Sequence, residues 1–206
     1  YLFPNKNLGT AEDQKHLLQT YRKISARPGA VTLSGADVIS QAVGGLTHFD
    51  GQIGMSWAWP FQALSFVRLR TGVKVPTHQH LETINSESFM ELAEIAKTAI
   101  PAIQTGDARE FIRTLKAFQD RLSSGGLVLR STGEMIEEIK RLRGVLSAKG
   151  CGALGADVVL VLVESESKQR LISELRGRWE VISTESDLSG GVCVEAQLEK
   201  PQTNEQ

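Results

Sequence analysis

The chain has 206 residues, 41% hydrophobic and 23% charged, with a formal net charge of -1. That balance excludes a wholly disordered chain and provides no overall field to recruit nucleic acid or an anionic membrane. No apolar run reaches the ~18 residues that span a bilayer, and the first residues lack a signal-peptide layout.

Thr10, with Asp13 three residues on, predicts the N-cap of a helix over residues 11–26, where Leu17, Leu18, Tyr21 and Ile24 recur at helical spacing. Arg27-Pro28-Gly29 stops it. Ser34 predicts the cap of a short second helix reaching Val43, closed by Gly44-Gly45. The period then changes to that of strands over 46–49 and 53–59, with Asp50-Gly51 as a tight hairpin turn between them. Residues 63–70 read as a third strand. A helical block follows: a short piece over 79–84, an amphipathic helix over 86–104, another over 107–123, and one from a Thr132 cap to about Leu146. Residues 158–163 are continuously apolar and predict a central strand buried on both faces. A helix over 166–176, strands over 179–183 and 190–196, and a polar tail over 201–206 complete the order. The fold class is therefore α+β. Four strands, 63–70, 158–163, 179–183 and 190–196, are expected to form a mostly antiparallel sheet with helices on one face. Trp57, Trp59 and Trp179 lie in predicted strands and are expected in the core.

Two segments have the composition of a chemical site. Ser34-Gly35-Ala36-Asp37 places a carboxylate in the first turn of a helix, where amides and macrodipole favour its ionised form. Such a group can accept a hydroxyl proton or sit beside a metal-bound phosphate, and the same spacing is also an ordinary capping arrangement. Gly152-Ala153-Leu154-Gly155, read between a helix and a buried strand, can cradle a phosphate on its backbone, or can simply be a tight connection. His78 and His80, flanking Gln79, read as exposed loop residues or as a metal-ligand pair on one strand face; no thiol or carboxylate partner is near in sequence, and no metal site is assigned. Cys151 and Cys193 lack metal-ligand spacing and read as two reduced thiols of a cytoplasmic protein.

Taken together, these segments resemble the GHMP kinases. Residues 34–46, Ser34-Gly35-Ala36-Asp37 through Gly44-Gly45-Leu46, resemble the family motif in which Ser-Gly-x-Asp is followed by a helix and Gly-Gly. Lys149-Gly150-Cys151-Gly152-Ala153-Leu154-Gly155-Ala156-Asp157 is similar to its C-terminal glycine motif. Thr71 through Thr77 is similar to a spaced threonine pair after the first strand of its C-terminal domain, and Ser131-Thr132-Gly133-Glu134 before a helix also fits. Within the family the pattern is nearest to mevalonate and phosphomevalonate kinases. The resemblance implies ATP- and Mg²⁺-dependent phosphorylation of a small molecule. It implies Asp37 as the catalytic carboxylate, and Ser34, Gly35, Thr77, Gly152, Ala153 and Gly155 near substrate or phosphate. It implies a remnant of the N-terminal domain over 1–58 and a ferredoxin-like C-terminal domain over 59–200.

Three departures shape the expectation. Leu154 and Ala156 stand where the family usually has glycine, and nothing in residues 1–33 matches its upstream nucleotide loop, Pro-x-x-x-Gly-Leu-(Gly/Ser)-Ser-Ser. The chain, which begins without Met, is thus expected to be an inactive C-terminal piece of a kinase. The alternative is a non-catalytic binding or regulatory module of the same fold that has lost ATP. In the first case the apolar surface of the hairpin over 46–58 is expected to be covered by a preceding segment or by a second copy.

Overall fold

The computed structural model describes residue 8 and residues 10–26, 33–75 and 86–192. The expected helix over 79–84, the tail over 201–206, and residues 193–196 of the last expected strand lie outside these. The chain divides into two units, Tyr1–Ser56 with Ser189–Gln206, and Trp57–Leu188.

In the first unit, α1 spans Ala11–Ser25 and α2 spans Ala36–Val43. Thr10 caps α1 as its spacing requires: its hydroxyl oxygen accepts the Asp13 amide at 3.2 Å and its O–H donates to the Asp13 carboxylate at 2.6 Å. Strands β1 (Leu46–Phe49) and β2 (Gly54–Trp57) form a two-stranded sheet. Their connection is longer than a two-residue Asp-Gly turn. The Asp50 carboxylate accepts the amides of Gln52 and Ile53 at 2.8 and 2.9 Å, closing a four-residue loop. The Ile53 amide first, then that of Gln52, holds the Asp50 carboxyl below the usual aspartate range. A lone hairpin is marginal in water, and α1 reinforces this one. The buried Gln14 amide takes the Gly54 N–H at 2.6 Å and donates to the Gly54 carbonyl at 3.3 Å, as a neighbouring strand would. Met55 is the exposed large apolar side chain of the hairpin.

The second unit is built on four antiparallel strands in the order β4-β5-β3-β6: β3 Leu64–Arg70, β4 Val145–Cys151, β5 Val158–Glu164 and β6 Glu180–Thr184. Two expectations are corrected here. The fourth described strand is β4, and residues 190–192, expected in the sheet, lie instead beside the end of α2, where the Val192 amide donates to the Ala42 carbonyl at 3.2 Å. Helices also cover both faces of the sheet. They are α3 (Ser86–Lys97), α4 (Ala99–Thr105), α5 (Ala108–Ser124), α6 (Arg130–Lys140) and α7 (Lys168–Leu175). Val159, Val161 and Val163 pack with Val67 and Leu69 against Ile136 and Ile139 of α6 and Leu171 and Leu175 of α7. Leu162, Leu64 and Phe66 face the other way, onto Ala102 of α4 and Phe111 of α5. The strictly apolar β5 needs exactly such double cover, since both of its faces lose water.

The remaining differences are local. The helix expected over 86–104 is interrupted at Thr98, because Pro101 has no amide to give the Lys97 carbonyl and its ring would clash there. The helix expected to reach Leu146 stops at Lys140, and Gly144 at φ +85° turns the chain into β4. Leu129, not Thr132, is its N-cap; Thr132 lies inside the helix, buried. Trp59 and Trp179 are outside strands. Trp59 still joins the core, its ring centroid 4.9 Å from Phe61 and its indole N–H donating to the Leu64 carbonyl at 2.7 Å, and Trp179 is half-buried beneath the Arg178 guanidinium.

Beyond Thr184, β6 leaves the sheet, and a side chain continues its pairing. Glu185 accepts the Phe66 amide of β3 at 3.2 Å and pairs with Lys168, both side chains being about 15% exposed. Burial raises the Glu185 carboxyl, but the Lys168 ammonium and the amides of Glu185 and Phe66 outweigh it and hold the group below the usual glutamate range. A depressed carboxyl contributes stability above its ordinary value and loses it as the pH falls through the depressed one. Glu185→Gln should therefore cost about 1–3 kcal/mol at neutral pH, by leaving Lys168 uncompensated, and less at a pH where Glu185 is protonated. Denaturant midpoints of both proteins across the acid range test this; an equal deficit at every pH would refute it.

Candidate functional site

Ser34, Gly35 and Asp37 come together at the start of α2. Gly35 is the N-cap, at φ +78°, and a Cβ there would lie 2.3 Å from Leu18 Cδ1. Only glycine meets both conditions. This corrects the assignment of Ser34 as cap: the turn needs a left-handed residue directly before the helix, so Ser34 stands one place earlier. Its Oγ accepts the Ala36 amide at 3.3 Å, and its carbonyl takes the Arg22 guanidinium at 2.8 Å. The N-cap is a glycine with no side chain to reciprocate, and Asp37 stands at the second helical position, so it is not serving as a capping-box partner. Its carboxylate is exposed in the first turn.

Gly152, Ala153 and Gly155 lie in the second unit, in a loop joining β4 to β5. The expected placement after a helix is thereby corrected: residues 145–151, which precede the loop, are extended. Gly152 at φ +87° starts a single 3-10 turn over Ala153–Gly155, closed by the Gly155 amide donating to the Gly152 carbonyl at 3.1 Å. The two ends of the loop touch, since a Cβ on Gly150 would lie 2.8 Å from Gly155 Cα. Thr71, in the threonine segment after β3, is tied to the same loop. Its hydroxyl donates to the Ala156 carbonyl and its amide to the Asp157 carbonyl at 3.3 Å. Thr77, His78 and His80 lie outside the described residues.

Beside the loop, a cleft of about 300 Å³ is lined by Arg70, Lys74, Asp157, Val158 and Ile182 among others. Arg70 pairs through Nε with Glu180 at 2.8 Å. The cleft thus sets Arg70 and Lys74 beside the Asp157 carboxylate and the apolar Val73, Val158 and Ile182. Lys149 sits at the root of the loop. Its ammonium lies 4.7 Å over the Phe118 ring and donates to the Gly150 carbonyl at 2.9 Å. The residue missed in the sequence is Gln119, buried at 2% exposure, whose Oε1 accepts the Gly150 amide at 2.9 Å. Its signal was an amide on the inward face of an amphipathic helix, four residues after Leu115 and eight after Phe111. Among the described residues there is no cluster of three metal-binding side chains, and no helix is long and apolar enough to cross a membrane.

This architecture is that of the GHMP kinase fold. The chain is similar to mevalonate kinase of L. major in complex with R-mevalonate, at 21% identity over 73% of this chain and 50% of that one, with a TM-score of 0.58. It is also similar to Methanococcus jannaschii mevalonate kinase (15%, 87% and 56%, TM-score 0.64) and to Streptococcus pneumoniae phosphomevalonate kinase (17%, 66% and 44%, TM-score 0.54). The likeness is one of fold, and the chain spans about half the length of these structures. No protein-family model and no curated protein sequence matches it.

Proposed function

We propose that residues 1–206 are the C-terminal part of an ATP-dependent small-molecule kinase acting on mevalonate or phosphomevalonate. The observation that carries this reading is the local geometry of the Ser-Gly-x-Asp segment: a glycine-required turn delivers an exposed, non-capping Asp37 carboxylate at a helix start, within a GHMP kinase fold. A capping aspartate would have been spent on the backbone; this one is available to a ligand.

What supports a phosphate role for the 152–155 loop is its backbone: Gly152 and Gly155 take φ +87° and +63°, the conformation in which amides can approach an anion closely. Bound ATP with Mg²⁺ would supply the transferable phosphoryl group and neutralise its charge. Asp37 would accept or orient the proton of the substrate hydroxyl or phosphate. Gly152, Ala153 and Gly155 would lie against phosphate oxygens, and Ser34 and Gly35 would set the turn that aims Asp37. Arg70 and Lys74 would attract an anionic substrate to the neighbouring cleft. The hairpin over 46–58 would be covered by preceding chain or by a second copy.

A coupled ADP-release assay tests the proposal, using the full-length polypeptide that contains these residues and offering mevalonate, phosphomevalonate, homoserine or galactose. ADP release with one of the first two is expected, and none from residues 1–206 alone. No release with any acceptor would leave a binding module of the same fold.

A further inference from the structure

We infer that Gln119 of α5 is a positioning residue that fixes the conformation of the 152–155 loop by holding Gly150; its effect on turnover rests on the kinase reading above. Gly150 is the hinge of the loop. It is the last residue but one of β4, paired with Val159 of β5, and packs directly on Gly155, so any movement of its peptide moves both arms of the turn. Strand β4 is an edge of the sheet, and an edge strand has backbone groups with no strand to meet them.

At Gly150 these groups are met by side chains, one from α5 and one from the neighbouring position of β4 itself. The Gln119 amide oxygen accepts the Gly150 N–H at 2.9 Å, and its nitrogen donates to Ser123 Oγ at 3.1 Å, so both ends of the amide are engaged and its orientation is fixed. The Gly150 carbonyl is held by Lys149, whose ammonium rests on the ring of Phe118, the residue preceding Gln119. A residue placed only to fill space would be apolar, like Phe111 and Leu115 on the same side of the helix. Glutamine is required only if the Gly150 amide must be held.

Two substitutions separate the acceptor from the bulk. Gln119→Met keeps the volume and removes the acceptor; Gln119→Glu keeps an acceptor for the Gly150 amide. Amide hydrogen exchange on residues 1–206 should show Gly150 exchanging roughly 10-fold or more faster in Gln119→Met, through local opening, and close to wild type in Gln119→Glu. In the full-length kinase, Gln119→Met should lower kcat roughly 10-fold with little change in KM, as expected when a loop is displaced by a fraction of the ~1 Å that costs 10²-fold, and Gln119→Glu should restore it. Unchanged exchange at Gly150 in Gln119→Met, or faster exchange with unchanged kcat, overturns the inference. Absence of ADP release from the wild-type enzyme, with the exchange pattern as expected, overturns the kinase reading and leaves Gln119 as the holder of the loop.

Discussion

On the proposed kinase reading, Asp37→Asn is expected to lower turnover of the full-length polypeptide about 10²–10⁴-fold, the usual contribution of a positioned proton-transfer group. The fold should barely notice. Asp37 is exposed and makes no capping bond, so its replacement loses only a favourable charge in the first turn of α2, worth about 0.3–1 kcal/mol. Asparagine preserves the size and shape, and differs chiefly in being unable to take a proton. Single-turnover rates and denaturant midpoints, measured on the same variant, should therefore diverge. An Asn variant with wild-type turnover would make Asp37 an ordinary surface acid and end the kinase reading.

The largest stability effect is expected at Gly44. Its backbone, at φ +69° and ψ -166°, lies in a region that only glycine occupies readily, so alanine there costs of order 1–3 kcal/mol in strain alone. The added methyl would also lie 2.1 Å from the Gly191 nitrogen and 2.3 Å from the Ser189 carbonyl oxygen, forcing residues 189–191 away for roughly another 1–3 kcal/mol. Gly45 depends on the same contact, its amide donating to the Ser189 carbonyl at 2.8 Å. Gly133, in the middle of α6, has open space where its Cβ would be, and Gly133→Ala should stabilise by about 0.5–1 kcal/mol. Chemical denaturation of the two alanine variants should move in opposite directions; a neutral Gly44→Ala would mean that residues 189–192 are not bound there.

The contrast between the two glycines also shows what the sequence could convey. Gly44-Gly45 is legible as a helix stop, but its second role, admitting the far end of the chain, depends on residues separated from it by the whole second unit. The elements that were legible were those with undisturbed local signals: α1 with its Thr10 cap, β3, and β5 with its unbroken apolar run. Strand β4 was not. Its small buried residues, Ser147 and Ala148, carry little hydrophobic signal, and a register shift between Val145 and Ser147 disturbs the alternation that marks a strand. Without β4 the glycine loop reads as following a helix, and residues 190–192 read as part of the sheet. Asp37 and its glycine turn were legible as a motif; the fact that Gly35 rather than Ser34 caps the helix was not, because it depends on Leu18 from another helix filling the space a side chain would need.

The return of residues 189–192 to Gly44 has a consequence for biosynthesis. The first unit is made of two stretches that lie on either side of the second in sequence, whereas the second is one uninterrupted stretch. On the ribosome the second unit can close as soon as Leu188 emerges, using contacts that are all internal to it. The first must wait with α1, α2 and the hairpin already made but the space at Gly44 still open, because residues 189–192 are translated after the whole second unit. The order of completion thus inverts the order of synthesis of these two units, and the first is the one that remains exposed to proteases and chaperones until residues 189–192 have emerged.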